Sequence, residues 1–236
     1  MTLAIIGPGK MGSAMAAALK NDFEVQLCGK GEKPIDFEAI IFAVKPADFS
    51  SCIDELKSDL SNKLIVSIMA GISLAKLREK TGSEKIVRSM PNLPLQVRKG
   101  FTAWAATTAV KEKDIVRKIF CCFGKEMEVA KEEDLNAVTA LTGSGPAYFF
   151  YLCELFEKKA KEWGFSDEEA AKMACATFTG AAGLLENSEL SAAEWRANVT
   201  SKGGTTEAAM KELEKCESLV DAALEAAKKH CEDLNK

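Results

Sequence analysis

Histidine is almost absent from this chain. A single one, His230, stands in a charged stretch near the C-terminus and reads as a solvated surface residue. A Ser-His-Asp triad needs a histidine elsewhere, and a zinc site with several imidazoles needs more than one, so neither is expected. C-x-x-C spacing is missing as well. Cys28, Cys52, Cys121, Cys122, Cys153, Cys175, Cys216 and Cys231 are most simply read as reduced cytosolic thiols. There is no basic excess: the net charge is −4, so a nucleic-acid partner is not expected. No apolar run reaches the length that spans a membrane. The N-terminus passes straight into a strand pattern, without the basic-then-apolar order of a secretory signal. These absences lead to an expectation of a cytoplasmic protein with no membrane and no metal.

What is present is ordinary in amount and ordered in sequence. Apolar residues make up 47% and charged residues 28% of 236 positions, enough for one sizeable domain or two small ones. Residues 3–6 form a short apolar run bounded by Gly7, the mark of a buried parallel strand. Further strand patterns fall at 24–27, 39–44, 64–69, 86–89, 101–105 and 126–130, and helical patterns at 13–20, 53–60, 74–80 and 113–123. This alternation predicts an α/β fold, a mostly parallel sheet with helices on both faces. Past about residue 132 strand patterns stop. Two Ser-x-x-Glu capping boxes, Ser166 to Glu169 and Ser191 to Glu194, open helices there. Small residues crowd 170–183 and predict close packing, within the chain or across a dimer. The charged 211–236 segment reads as one amphipathic helix. The expected division is a dinucleotide-binding domain at 1–131 and an all-α domain at 132–236.

Gly7-Pro8-Gly9-Lys10-Met11-Gly12 follows the first strand and opens a helix, the context a G-x-G-x-x-G motif needs to bind a dinucleotide. The first glycine allows the tight turn and the second lets backbone approach a pyrophosphate. The third allows close helix–strand packing, and the helix N-terminus supplies N–H groups. After the second strand the chain reads Cys28-Gly29-Lys30-Gly31, with no acidic residue until Glu32. NAD enzymes place an acid at that strand end. Lys30 is either a partner for a 2′-phosphate or a solvated loop lysine. NADP(H) is therefore favoured, with NAD(H) as the other candidate. The interval between the second and third strands is too short for a helix and strand, so the second strand is expected at or near the sheet edge, beside an abbreviated adenosine pocket.

Thr139-Ala-Leu-Thr-Gly143-Ser144-Gly145-Pro146-Ala-Tyr148 brings glycines and hydroxyls together between two helical patterns. With Pro146 as the first residue of a helix, it suits a small anion; an ordinary interhelical turn is the alternative.

The glycine loop, Ala43-Val44-Lys45-Pro46, the 67–72 segment containing Ala70 and Gly71, Arg88-Ser-Met90-Pro91-Asn92, the 138–148 run and Val199-Thr-Ser201-Lys-Gly203-Gly204-Thr205-Thr206 occur in this order. Together they closely resemble the 1-pyrroline-5-carboxylate reductase family over nearly the whole chain. The resemblance implies reduction of the C=N bond of pyrroline-5-carboxylate to L-proline by NAD(P)H. It implies a Rossmann domain followed by a helical domain that interleaves in a homodimer, with rings of dimers in some members. It places Gly7, Pro8, Gly9, Lys10 and Met11 along the pyrophosphate, and Ala43, Val44, Lys45 and Pro46 along the cofactor. Ala70, Gly71, Met90, Pro91 and Asn92 fall on the nicotinamide side. Thr139, Gly143, Ser144 and Gly145 form a substrate wall, and Ser201, Gly203, Gly204, Thr205 and Thr206 bind the carboxylate from the partner chain. The sequence departs from the family pattern at Leu93, Thr142 and Lys202 and in the shortened second-strand region.

A protonated cyclic imine is already electrophilic, so the protein needs alignment and charge stabilisation rather than a metal or a covalent nucleophile. Thr139 is the candidate catalytic residue. It would hydrogen-bond the ring nitrogen, orienting the imine or relaying a proton; the alternative is that its hydroxyl only caps backbone. The competing functions are a reductase of a related cyclic imine and a non-catalytic nucleotide sensor on the same fold.

Overall fold

The computed structural model describes residues 1–56 and 58–234. The predicted helix at 53–60 and the segment at 211–236 therefore each include positions outside the described residues. In chain order, β1 (Thr2–Ile6), α1 (Lys10–Leu19), β2 (Glu24–Cys28), β3 (Ala39–Phe42), α2 (Phe49–Leu56), β4 (Leu64–Ser67), α3 (Leu74–Thr81) and β5 (Ile86–Pro91) come first. β6 (Gly100–Ala106), α4 (Lys113–Cys121), β7 (Gly124–Glu128) and α5 (Asp134–Val138) follow. The helices α6 (Gly145–Glu162), α7 (Asp167–Glu186), α8 (Ala192–Asn198), α9 (Thr205–Leu213) and α10 (Glu217–Leu234) complete the chain.

The described strands form one sheet in the order β2-β1-β3-β4-β5-β6-β7. Alternation explains the two-sided core. Leu3, Ile5, Ile41, Val66 and Val87 pack with Trp104 and Phe120 in one cluster. Ala4, Ile6, Ile40, Phe42 and Ile65 join Phe49 and Leu77 in another. Strands buried on both faces read as continuous apolar runs. β2 lies at the edge, as expected.

One pairing breaks the parallel rule: β5 and β6 are antiparallel. The 3₁₀ turn Leu93–Val97 and Arg98 at φ 57° reverse the chain between them. No helix is needed for such a reversal. Helix α2 starts and ends earlier than the predicted 53–60, because a 3₁₀ turn at Pro46–Asp48 leads directly into it.

The shortened connection between β2 and β3 is closed by side chains. Gln26 donates from Nε2 to the Ile35 carbonyl at 2.5 Å and accepts from the Ile35 N–H at 2.8 Å, as a neighbouring strand would. Phe37, 5% exposed, plugs the core behind it, a burial of about 2 kcal/mol. Lys63 secures Phe37 by donating to its carbonyl at 2.6 Å and lying over its ring.

The described chain divides into two compact units, residues up to 146 with those from 225 onward, and residues 147–224. Within the second, both predicted capping boxes form: Ser166 and Ser191 each exchange side-chain and backbone hydrogen bonds with the glutamate three residues on. Phe156 and Phe178 meet edge-to-face at 5.4 Å. Ala170 and Ala174 are buried, whereas Gly180 and Gly183 face open space. Phe149, Phe150, Tyr151, Leu152, Leu155 and Phe156 are all exposed. The 211–236 stretch is not one helix: a 3₁₀ turn at Glu214–Cys216 separates α9 from α10. No helix among the described residues is long and apolar enough to cross a membrane.

Candidate functional site

The sheet order reverses direction at β1, with β2 on one side and β3 on the other. In open α/β sheets ligands bind at such a point, outside the carboxyl ends of the strands. Gly7 leaves the end of β1 there and Ala43 the end of β3. A Cβ on Gly7 (φ 112°) would lie 2.6 Å from the Ala43 carbonyl oxygen, and one on Gly12 would collide with the Gly7 carbonyl. Gly9 differs: nothing lies within 4 Å of its Cβ position. It caps α1 without a side-chain bond, so the first-turn N–H groups of α1, Lys10 and Met11 among them, point out of the helix end. Two glycines are thus required by packing, and the third faces a cradle that fits a pyrophosphate.

Beside this cradle is a hollow of about 340 Å³, lined by Gly7, Pro8, Lys30, Glu32, Val44 and Cys52 among others. Lys30 is at this hollow. Glu32 is there too. Its N–H bonds the Gly29 carbonyl at 3.2 Å, and its Oε2 accepts from the Gly29 N–H at 2.6 Å. This turn folds an acid that lies beyond the strand end in sequence back onto it. Cys52 lines the same hollow, its thiol pushed up to about 11 by burial, with Glu55 and Asp48 adding to the rise.

A second, far smaller hollow of about 10 Å³ lies further along the strand ends, lined by Ala70, Gly71, Arg88, Met90, Asn136, Thr139 and Cys231. It joins residues predicted for the nicotinamide side to the predicted catalytic residue. Arg88, 5% exposed, donates to Glu132 at 2.7 Å. The same carboxylate oxygen accepts from the Leu74 N–H at 2.9 Å, so one glutamate ties β5, α3 and the approach to α5 together. Neither Arg88 nor Glu132 was singled out from the sequence. An arginine inside an apolar strand pattern, which demands a buried acidic partner, was the available signal.

The Thr139 run departs from its prediction. Thr139–Gly143 is a π turn that carries α5 into α6, with the Ser144 N–H bonded to the Thr139 carbonyl at 2.9 Å. Helix α6 does open at Gly145, with Pro146 in its first turn, but it follows a helical turn rather than an interhelical loop. Inserted π turns recur at functional sites because they re-aim the side chains they carry. Here the Thr139 hydroxyl donates to the Leu135 carbonyl at 2.6 Å, and the Thr142 hydroxyl to Val138 at 3.0 Å. The backbone-capping alternative for Thr139 is therefore realised. Its hydroxyl proton is engaged, and its oxygen remains able to accept. Gly143 stands within reach of Thr139 and Met90, 3.4 and 3.8 Å from its Cβ position.

Asn92 spans two elements. Nδ2 donates to the Thr142 carbonyl at 2.9 Å, and Oδ1 accepts from the Phe101 N–H at 2.8 Å. Pro91, buried at the end of β5, precedes it.

In the second unit, Gly204 caps α9 and packs against Ser201, whose hydroxyl a Cβ there would strike. Gly203 has φ 73° and donates its N–H to Glu207 at 2.9 Å. The first-turn N–H groups of α9 and the hydroxyls of Thr205 and Thr206 thus gather at one helix end. Arg196 lines a separate hollow of this unit with Glu207 and Lys211. Among the described residues no cluster suited to a metal ion occurs, and no two cysteines are joined.

Comparison with known proteins agrees with this layout. A family model for pyrroline-5-carboxylate reductase dimerisation matches residues 132–234, and one for NADP oxidoreductase, coenzyme F420-dependent, matches residues 16–71. The chain is 36% identical to a pyrroline-5-carboxylate reductase of Arabidopsis thaliana, covering 88% of this chain and 77% of that protein. It is 34% identical to one of Pseudomonas aeruginosa, covering 94% and 84%. Among solved structures, a pyrroline-5-carboxylate reductase of Coxiella burnetii superposes with a TM-score of 0.91 at 29% identity, covering 99% and 98%. A Plasmodium falciparum pyrroline carboxylate reductase with NADP bound gives 0.86 at 30%, covering all of both chains. The chain belongs to the pyrroline-5-carboxylate reductase family.

Proposed function

We propose that this protein reduces 1-pyrroline-5-carboxylate to L-proline with NAD(P)H, the last step of proline biosynthesis. The observation that carries this reading is the placement of Thr139 in one hollow with Ala70, Gly71 and Met90, along the strand ends from an open Gly9 cradle. The bound nicotinamide supplies the hydride.

Gly7, Pro8, Gly9, Lys10 and Met11 hold the pyrophosphate through backbone and the start of α1. Ala43, Val44, Lys45 and Pro46 border the cofactor after β3, and Lys30 meets a 2′-phosphate when NADPH is bound. Ala70, Gly71, Met90 and Pro91 flank the nicotinamide ring, and Asn92 positions that wall through its two hydrogen bonds. Thr139 accepts a hydrogen bond from the ring N–H of the protonated imine, because its own proton is committed to Leu135. It thereby keeps the proton on nitrogen and fixes which face of the C=N bond meets the hydride. Hydride addition at carbon then leaves the amine of proline with no proton removed by the protein. Gly143, Ser144 and Gly145 complete the wall behind the ring. The substrate carboxylate is held by Ser201, Gly203, Gly204, Thr205 and Thr206 at the start of α9, contributed by a partner subunit.

The functional division is 1–131 for the dinucleotide and 132–236 for substrate and dimerisation. The exposed aromatic stripe of α6 supports a homodimer, a ring of dimers is the larger assembly, and the location is cytoplasmic. The test is oxidation of NADPH and of NADH by purified protein with racemic pyrroline-5-carboxylate. Turnover with proline as product is expected, and no turnover with either cofactor in folded dimer overturns the proposal.

A further inference from the structure

The hollow beside Pro8 is where a Rossmann domain seats the adenosine ribose, next to the end of β2. Its charged lining is unequal. Glu32, Asp48 and Glu55 contribute carboxylates, and Lys30 is the one cation among the described lining residues. Glu32 is held in place rather than loose. Its Oε2 accepts from the Gly29 N–H at 2.6 Å, and Oε2 and the Pro8 Cγ lie within 3.4 and 3.7 Å of the same point beside Gly29. The carboxylate is thus held beside Gly29 and Pro8 in the lining of the hollow.

Such a carboxylate offers acceptors only. Ribose 2′ and 3′ hydroxyls can donate to it. A 2′-phosphate brings further acceptors and up to two negative charges against it, with Asp48 and Glu55 of the same lining adding to the repulsion. The Cys52 thiol in the same lining is raised first by burial, with Glu55 and Asp48 adding to the rise. Lys30, exposed as the three carboxylates are, offsets this only in part, as one cation against three anions.

Resting on the reductase reading above, we infer that Glu32 is the residue that selects between the two nicotinamide dinucleotides, binding the adenosine ribose hydroxyls of NADH and disfavouring the 2′-phosphate of NADPH. The inference concerns the balance between two usable cofactors, with Lys30 and Glu32 pulling in opposite directions.

The test is calorimetric titration of the dimeric protein with NADH and with NADPH, without substrate, for the wild type, Glu32→Gln and Lys30→Ala. Gln keeps an oxygen for the Gly29 N–H, so the turn is retained. Glu32→Gln is expected to shift the NADPH-to-NADH affinity ratio toward NADPH by about tenfold or more, a difference of about 1.4 kcal/mol. Lys30→Ala is expected to shift it toward NADH by less. The ratio of kcat/KM values follows the same order. Binding of both cofactors with a ratio unchanged by Glu32→Gln overturns this assignment alone. Binding of neither, by folded dimer, overturns it together with the reductase reading.

Discussion

Asn92 and Thr142 are joined by a hydrogen bond of 2.9 Å from side-chain amide to backbone carbonyl. The other end of the same amide holds Phe101 of β6. Asn92 is therefore the strut between the sheet and the π turn that carries Thr139. Asn92→Ala leaves two part-buried backbone groups without their partner, which costs about 1–3 kcal/mol. The expected outcome is a lower urea midpoint together with a fall in kcat/KM; an unchanged value of both removes Asn92 as a support of the turn.

The three glycines of the first loop separate under mutation. Gly9→Val leaves the melting temperature near the wild-type value, because its Cβ position is open, yet it weakens dinucleotide binding by at least about tenfold through occlusion of the pyrophosphate cradle. Gly12→Ala does the reverse first, since its Cβ runs into the Gly7 carbonyl and overpacking of this kind costs about 1–3 kcal/mol. Calorimetric melting and cofactor titration on the same two variants distinguish these roles. Normal affinity in Gly9→Val would place the dinucleotide elsewhere.

Thr139→Ala removes both the bond to Leu135 and the acceptor proposed for the ring N–H. A loss of about ten- to a hundredfold in kcat/KM is expected, the worth of about 1.4–2.8 kcal/mol. Thr139→Ser keeps the oxygen and restores most of the rate. Equal loss in the two variants would mean that the threonine methyl, packed toward Gly143, matters rather than the hydroxyl.

Phe149 is 63% exposed on α6. Phe149→Glu places a charge in the face proposed to meet a second copy, where buried aromatic anchors are worth at least about 2 kcal/mol. Light scattering is expected to show monomer at concentrations where the wild type is dimeric, with activity lost in parallel because the carboxylate loop comes from the partner. A fully active monomer would contradict that arrangement.

Cys52 titrates near 11 rather than 9.0 because it is buried and faces Glu55 and Asp48. Its alkylation in folded protein at pH 7.5 is expected to be about a hundredfold slower than in denatured chain, as its thiolate fraction falls by that factor. The linkage has a definite sign. The unfolded thiol releases its proton near pH 9, before the folded one does, so stability is intact below pH 9 and declines between pH 9 and 11. Peptide mapping after iodoacetamide and denaturation at several pH values check both statements, and Cys52→Ser removes its share of the alkaline decline.

Much of the fold was legible because burial on both faces leaves unbroken apolar runs: β1, β3 and β4 are such runs, and they sit at the centre of the sheet. The capping boxes at Ser166 and Ser191 were legible because their chemistry is local. The antiparallel β6 was not, since its direction depends on a left-handed Arg98 that no composition rule marks. The π turn escaped for a related reason. Gly143 and Gly145 read as a break between helices, whereas Asn92, distant in sequence, holds the chain in a wider helical turn. Glu32 and the Arg88–Glu132 pair depend on folding that brings separated residues together, and the residue pattern alone does not report it.

The closure of β2 by Gln26 and Phe37 has a consequence for how this domain can change. A side-chain amide and one ring finish the sheet edge where a longer connection would lay down a helix and another strand. The strands from β1 to β7 make no use of the residues that such a segment would add. Residues 29–33, ahead of Ile35 and the buried Phe37, therefore mark a place where chain can be gained or lost at little cost to the core. Because this same stretch carries Lys30 and Glu32, an insertion or deletion here would alter the choice of cofactor while leaving the hollow around Thr139 as it is.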